Sequence, residues 1–208
     1  MSGAELFDGL FADVRVMGIF RGSSPRETVR LCHAAWDAGV TAVEVPVQTD
    51  EGFAALAAAV AEGRERGCTV GAGTVRFPEQ LRRAVGLGAR FTVAPGLDLG
   101  IVRLSEEIGV PHLPGVATST DIDTALKAGL TWLKAFPASV LGAEWVRAQL
   151  APFPEARLVA TGGMGASNAG EFLGAGCRAV AIGSAFGDPG QLARLVEAGL
   201  LPAVGSRT

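Results

Sequence analysis

Lys134 and Glu44 are the residues whose surroundings make chemistry most accessible to them. Lys134 lies in Leu130-Thr131-Trp132-Leu133-Lys134-Ala135-Phe136-Pro137, an apolar run between Gly129 and a turn. Such a run reads as a buried strand, where a lysine is costly unless it is paired or neutral. Desolvation lowers an amine's pKa, and a neutral amine can attack a ketone to form a Schiff base. The alternative is a lysine that snorkels to the strand rim or pairs with a carboxylate. Glu44 is the lone charge of Ala42-Val43-Glu44-Val45-Pro46-Val47. Alternation places Ala42, Glu44 and Pro46 on one face. Burial would raise the carboxyl pKa toward the range of a general acid/base, and a nearby ammonium would lower it. A structural ion pair with Lys134 or Arg21 is the competing reading.

Positioning these two groups requires strands, and the chain alternates strand-like and helix-like segments throughout. The strand candidates are Val14–Phe20, Ala42–Val47, Thr69–Ala72, Phe91–Ala94, His112–Leu113, Thr131–Ala135, Leu158–Ala160 and Ala179–Ile182. Helical stretches between them include Pro25–Asp37, Asp50–Arg66, Pro78–Leu87, Leu99–Ile108, Ser119–Lys127 and Ser167–Leu173. Most open near a capping residue or proline and close at a glycine, with Gly39, Gly67, Gly88, Gly109, Gly129 and Gly176 forming a quiet repeat. The N-terminus, Met1 to Asp13, forms a short amphipathic helix in this reading, with Leu6, Leu10 and Phe11 on one side. Eight strands alternating with helices in a chain of 208 residues predict one domain, 1–208, built as an α/β parallel (β/α)8 barrel. A doubly wound open sheet is the competitor, but Arg21-Gly22-Ser23-Ser24 after the first strand is not its phosphate loop.

Barrel enzymes carry their chemistry at the carboxyl ends of strands. The polar or special residues there are Arg21, Glu44, Gln48, Thr74, Pro95, Lys134, Thr161-Gly162-Gly163 and Gly183-Ser184. The glycines after the last two strands let backbone N–H groups approach phosphate oxygens, and Ser184 adds a hydroxyl; ordinary strand-to-helix turns are the alternative. Gly71-Ala72-Gly73-Thr74 reads first as a tight turn whose threonine caps the next helix. Thr74 could instead donate to a substrate carboxylate or ketone. Trp36, Trp132 and Trp145 read as packing residues.

Composition narrows the class. A net charge of -3 without a Lys/Arg block leaves no footprint for nucleic acid or an anionic membrane. The longest apolar stretch, Phe53 to Ala61, is too short to span a bilayer. Met1 to Asp13 carries acids and no basic segment, so no signal peptide is expected. Cys32, Cys68 and Cys177 are widely spaced and fit a reducing cytoplasm. His33 and His112 have no ligand-like neighbours, so a histidine-based metal site is not expected, which leaves a carboxylate-held Mg²⁺ open at this point; no cofactor is expected.

Taken in order, these motifs resemble the 2-keto-3-deoxy-6-phosphogluconate (KDPG) / 4-hydroxy-2-oxoglutarate (KHG) aldolase family. The matching segments are Met17-Gly18-Ile19-Phe20-Arg21, Val43-Glu44-Val45-Pro46, Gly71-Ala72-Gly73-Thr74-Val75, Ala94-Pro95-Gly96-Leu97 and Pro114-Gly115-Val116-Ala117-Thr118. Leu133-Lys134-Ala135-Phe136-Pro137-Ala138, Thr161-Gly162-Gly163 and Ile182-Gly183-Ser184 complete the series. The resemblance implies a metal-free class I aldolase, usually a homotrimer, with Lys134 as Schiff-base nucleophile and Glu44 as general acid/base. It further implies that Thr74, Pro95 and Phe136 border the pyruvate moiety. Arg21, Gly162, Gly163, Gly183 and Ser184 would hold the distal phosphate, with Thr161 near the substrate hydroxyls. Gln48 departs from the pattern, because many members carry there an arginine that pairs with the substrate carboxylate. A glutamine donates a hydrogen bond without the charge or the bidentate fork. The related 2-keto-3-deoxy-6-phosphogalactonate aldolases resemble the chain at that position, whereas Thr161 resembles the phosphogluconate enzymes. A phosphosugar isomerase or epimerase using Glu44 as base, and a non-catalytic phosphate-binding barrel, remain the readings of another class.

Overall fold

A computed structural model of the chain describes residues 3–202, apart from the side chain of Ser184. Nine strands form one parallel sheet: β1 (Val16–Ile19), β2 (Ala42–Pro46), β3 (Thr69–Gly73), β4 (Thr92–Val93), β5 (His112–Leu113), β6 (Gly115–Val116), β7 (Trp132–Ala135), β8 (Arg157–Thr161) and β9 (Ala179–Ile182). Their order is β5-β4-β3-β2-β1-β9-β8-β7-β6. The two end strands, β5 and β6, are separated in the chain by Pro114 alone, so the sheet comes round on itself as a nearly closed barrel. Eight strands are expected from the sequence and nine segments are found, and Pro114 accounts for the extra one. It has no N–H to continue the ladder, although its carbonyl still accepts from the Lys134 N–H at 2.8 Å.

Helices cover the outside: α1 (Gly3–Leu10), α2 (Pro25–Asp37), α3 (Asp50–Arg66), α4 (Pro78–Gly86), α5 (Leu99–Ile108), α6 (Ser119–Lys127), α7 (Ala138–Leu141), α8 (Ala143–Leu150), α9 (Ala169–Gly174) and α10 (Pro189–Glu197). Their starts follow local chemistry. The side chains of Ser24, Thr49, Asp98, Thr118 and Asp188 each accept N–H groups of the first turn. The helix expected from Ser167 starts two residues later, because Asn168 instead spends its side chain on the loop before it.

Strand alternation divides the core in two. Ala42, Trp132, Val159 and Ala179 join Met17, Phe91, Val93, Leu113 and Ala181 in a cluster inside the barrel. Val43, Leu133, Ala160 and Val180 face the helices in the larger outer cluster. Helix α1 belongs to the inner cluster. Phe7 meets Phe91 edge-on at 5.6 Å and lies 6.0 Å from Trp132, and Phe11 lies 5.2 Å from Trp132. Each such ring contributes about 1.5–3 kcal/mol on burial, so α1 seals the amino end of the barrel. Continuing the alternation by one step puts Glu44, Lys134 and Thr161 on the inner face, toward the opposite mouth.

Candidate active site

A cavity of about 650 Å³ opens where the strands end, lined by Arg21, Gln48, Thr74, Pro95, Lys134, Phe136, Thr161, Gly162, Gly163 and Gly183, together with Ile19, Arg76, Met164 and Ala181. Ten of the residues singled out from the sequence therefore meet in one place. Glu44 lies beneath them, fully buried. Ser184 opens the short 3-10 turn after β9 (Ser184–Gly187), and its side chain is outside the described residues.

Lys134 is 3% exposed, and its Nζ stands 4.9 Å from the centre of the Phe136 ring. Burial drives its pKa below the usual 10.5; Glu44 works against that shift and Arg21 adds to it. Both carboxylate oxygens of Glu44 are buried without a hydrogen-bond partner. Burial drives the Glu44 carboxyl above its usual 4.5, with Lys134 and then Arg21 opposing. Both groups are thus pushed toward their neutral forms. Neither oxygen of Glu44 has a hydrogen-bond partner, so the structural ion pair considered from the sequence is not formed among the described residues. An amine whose neutral form burial favours, beside a carboxyl group whose proton burial helps to hold, can serve as a nucleophile with a proton donor.

Strand β3 explains how a carboxyl group can be kept there. Gly71 and Gly73 belong to the strand itself rather than to the tight turn the sequence suggested. A Cβ at Gly73 would fall on the Glu44 carboxylate, and one at Gly71 would strike the Phe91 ring at 2.6 Å or closer. Gly73 is therefore a site residue that sequence reasoning missed; its signal was the pairing of two inward glycines beside a strand with a lone acid. Gly73→Ala is expected to displace Glu44 and lower kcat by roughly 10²-fold, with an overpacking cost of about 1–3 kcal/mol. Gly71→Ala crowds Phe91 instead, so kcat measured beside denaturant unfolding for both variants separates the two effects. Equal kcat losses in the two would remove Gly73 from the site.

Thr74 follows at φ 57, the one non-glycine residue with positive φ among the described residues. A β-branched residue is strained there by roughly 1–3 kcal/mol. Its Oγ1 accepts from Arg21 Nη2 at 3.3 Å, while Arg21 Nη1 donates to the Gln48 side-chain oxygen. Arg21 is thus engaged over β2 and β3, rather than with the glycines after β8 and β9. On that other side, Gly162 and Gly163 have φ of 96 and 71. A Cβ at Gly162 would press on Phe136 at 3.2 Å, and Asn168 Nδ2 braces the loop by donating to the Gly163 carbonyl at 2.9 Å. Arg76, two residues beyond Thr74, is the charged lining residue that sequence reasoning missed; the strand-end inventory stopped two loop positions too early.

No group of three or more His, Cys, Asp or Glu placed to hold a metal occurs among the described residues. His112 is buried with Nδ1 2.8 Å from Thr92 Oγ1, and burial pulls its pKa down to about 4. No helix among the described residues is long and apolar enough to cross a membrane.

Comparison with known proteins supplies what geometry cannot. The family model described as KDPG and KHG aldolase matches residues 8–196. The chain is 34% identical over 179 residues to a probable 2-dehydro-3-deoxy-6-phosphogalactonate aldolase of Rhizobium meliloti, covering 86% of this chain and 84% of that one. It is 35% identical, with the same coverage, to a 2-dehydro-3-deoxy-phosphogluconate aldolase of Treponema pallidum. Among solved structures, the KDPG aldolase of Legionella pneumophila, with pyruvate captured as a covalent carbinolamine intermediate, superposes with a TM-score of 0.80 at 26% identity, covering 95% of this chain and 97% of that one.

Proposed function

Because the chain belongs to the KDPG and KHG aldolase family, we propose that its barrel cleaves 2-keto-3-deoxy-6-phosphogluconate to pyruvate and glyceraldehyde 3-phosphate through a Schiff base on Lys134. It is an aldolase, a carbon–carbon lyase. The observation that carries the residue assignment is the pair of buried ionisable groups, Lys134 lining one open cavity and Glu44 beneath it with both carboxylate oxygens unbonded. In this reading β5 and β6 count as one stave broken at Pro114, which gives the eight-stranded (β/α)8 barrel.

Neutral Lys134 Nζ adds to the C2 ketone, and Glu44 supplies the proton that lets the carbinolamine oxygen leave as water. The protonated imine then draws electrons from C3–C4. Removal of the C4 hydroxyl proton breaks that bond, releases the aldehyde and leaves an enamine. Protonation at C3 and addition of water return pyruvate and the free amine. Thr74, Pro95 and Phe136 border the pyruvyl part, Thr161 stands near the hydroxyls, and the N–H groups around Gly162, Gly163, Gly183 and Ser184 face the phosphate. Gln48, bonded to Arg21, favours the phosphogalactonate epimer as the second substrate to assay. 4-Hydroxy-2-oxoglutarate, cleaved to pyruvate and glyoxylate, is the third. The homotrimer implied by the family stays within the proposal.

Incubation with pyruvate and sodium borohydride tests the chemistry: one reduced pyruvyl adduct per chain is expected by intact mass. Absence of any adduct on the folded protein would sink the Schiff-base reading and favour an isomerase or epimerase using Glu44 as base.

A further inference from the structure

The turn after β8 is held by bonds on the side away from the cavity. Gly162, Gly163 and Met164 line the cavity, whereas Ser139 and Asn168 stand outside that lining. The Gly162 carbonyl accepts from the Ser139 N–H at 3.0 Å, and the Gly163 carbonyl accepts from Asn168 Nδ2 at 2.9 Å. The peptides that follow Gly162 and Gly163 are both trans, so in each the N–H points opposite to the carbonyl. With the two carbonyls drawn outward, the N–H groups of Gly163 and Met164 turn inward. Neither has an acceptor among the described residues. Two successive N–H groups aimed the same way form a cradle for an anion.

Asn168 is placed for an ordinary task and performs another. It stands at the start of α9, where an asparagine commonly accepts an N–H of the first turn, but its side chain makes no such bond. It reaches back instead. Its Oδ1 accepts from the Gly165 N–H at 2.9 Å while its Nδ2 donates to the Gly163 carbonyl. The donor and the acceptor of one amide are thus both spent on fixing the peptides on either side of Met164. Resting on the aldolase reading above, we propose that Asn168 is a positioning residue for the substrate's phosphate. It holds the Gly163 carbonyl outward and so aims the Met164 N–H, beside that of Gly163, at the phosphate oxygens. Asn168 itself touches no substrate. Its contribution is to orient donors before binding, which spares the complex the cost of ordering them.

The test compares Asn168→Ala and Asn168→Asp with wild type in the full chain. The substrates are the phosphorylated 2-keto-3-deoxy acid and the same acid without phosphate. For Asn168→Ala, KM for the phosphorylated acid is expected to rise roughly 5- to 30-fold, the effect of loosening one charge-assisted donor. Its kcat should stay within about three-fold, because the lost interaction serves ground and transition states alike. KM for the acid without phosphate, and the pyruvate concentration that half-saturates borohydride trapping, should stay within about two-fold. Asn168→Asp keeps the shape and the acceptor for Gly165 but sets an oxygen against the Gly163 carbonyl. Its KM for the phosphorylated acid should therefore rise at least as far as that of the alanine variant, and it carries the test alone should the alanine chain fail to fold. A residue that merely packs the loop would give the reverse order, with aspartate the milder change. That order, or a rise shared equally by both acids, or none, overturns the assignment. Failure of wild type to give any adduct is a separate outcome, which removes the Schiff-base reading itself.

Discussion

Lys134→Met is expected to end turnover and to leave a protein more stable than wild type. kcat/KM should fall at least about 10⁴-fold, or roughly 5 kcal/mol of transition-state stabilisation, and the borohydride adduct should vanish. The stability gain follows from linkage. Burial holds the Lys134 pKa below 10.5, so the unfolded chain binds its proton more readily than the folded one. The resulting penalty is complete below the folded pKa, shrinks as pH rises, and is gone above the unfolded value. Methionine has similar length and no charge to desolvate. At pH 7 the variant should therefore be more stable by about 1 kcal/mol or more, and the difference should narrow as pH approaches 10.5. Denaturant unfolding at the two ends of that range reads the sign, and residual turnover above about one per cent of wild type would exclude Lys134 as the nucleophile.

Such a gain is the counterpart of what the site costs. Two ionisable groups are buried, Glu44 with neither oxygen hydrogen-bonded, and Thr74 is held at positive φ. The surrounding fold over-determines these features. Phe91 fills the space that Gly71 leaves, the Glu44 carboxylate fills the space that Gly73 leaves, and the aromatic group of Phe7, Phe11 and Trp132 closes the far end. Strain and desolvation persist at functional sites when neighbouring packing permits no relaxation.

Much of this arrangement was legible from residues close together in the chain. The run around Lys134 and the lone acid of β2 announced themselves because a charge in an apolar strand needs a reason, and period-two alternation set Glu44 on one face with Ala42 and Pro46. Helices α2, α3, α5 and α6 span the residues expected, because a capping side chain or proline opens each. What escaped is what depends on neighbours distant in sequence. Gly73 matters through a carboxylate on the adjacent strand, and Arg76 through a cavity assembled from seven loops. Pro114 divides a stave because a ladder needs an N–H at that register. The hydrogen bonds of Arg21 likewise reach Gln48 and Thr74, 27 and 53 positions away in the chain. Helix α10 had its Asp188-Pro189 start signal in plain view, but it lies beyond the last strand, where no further element was needed to complete the repeat.

Glu44→Gln separates the proton shuttle from the nucleophile. The amide keeps the shape of the carboxyl group in a site where both oxygens are buried, but it cannot give up and recover a proton. kcat should fall roughly 10²- to 10⁴-fold, the range for loss of a general acid/base, with KM within about three-fold of wild type because substrate contacts are made elsewhere. The pyruvyl adduct should still form, more slowly. A second signature distinguishes catalysis from mere packing. The negative charge of Glu44 raises the Lys134 pKa, so its removal should move the acid limb of the trapping rate to lower pH. Stability carries a sign as well. The Glu44 pKa lies above 4.5 in the folded protein, so its cost is absent at low pH and complete once pH exceeds the folded value. Glutamine should therefore stabilise the protein increasingly as pH rises through that window. A kcat within ten-fold of wild type, or an acid limb that moves upward, would take the proton transfers away from Glu44 and leave water or the substrate's own groups to perform them.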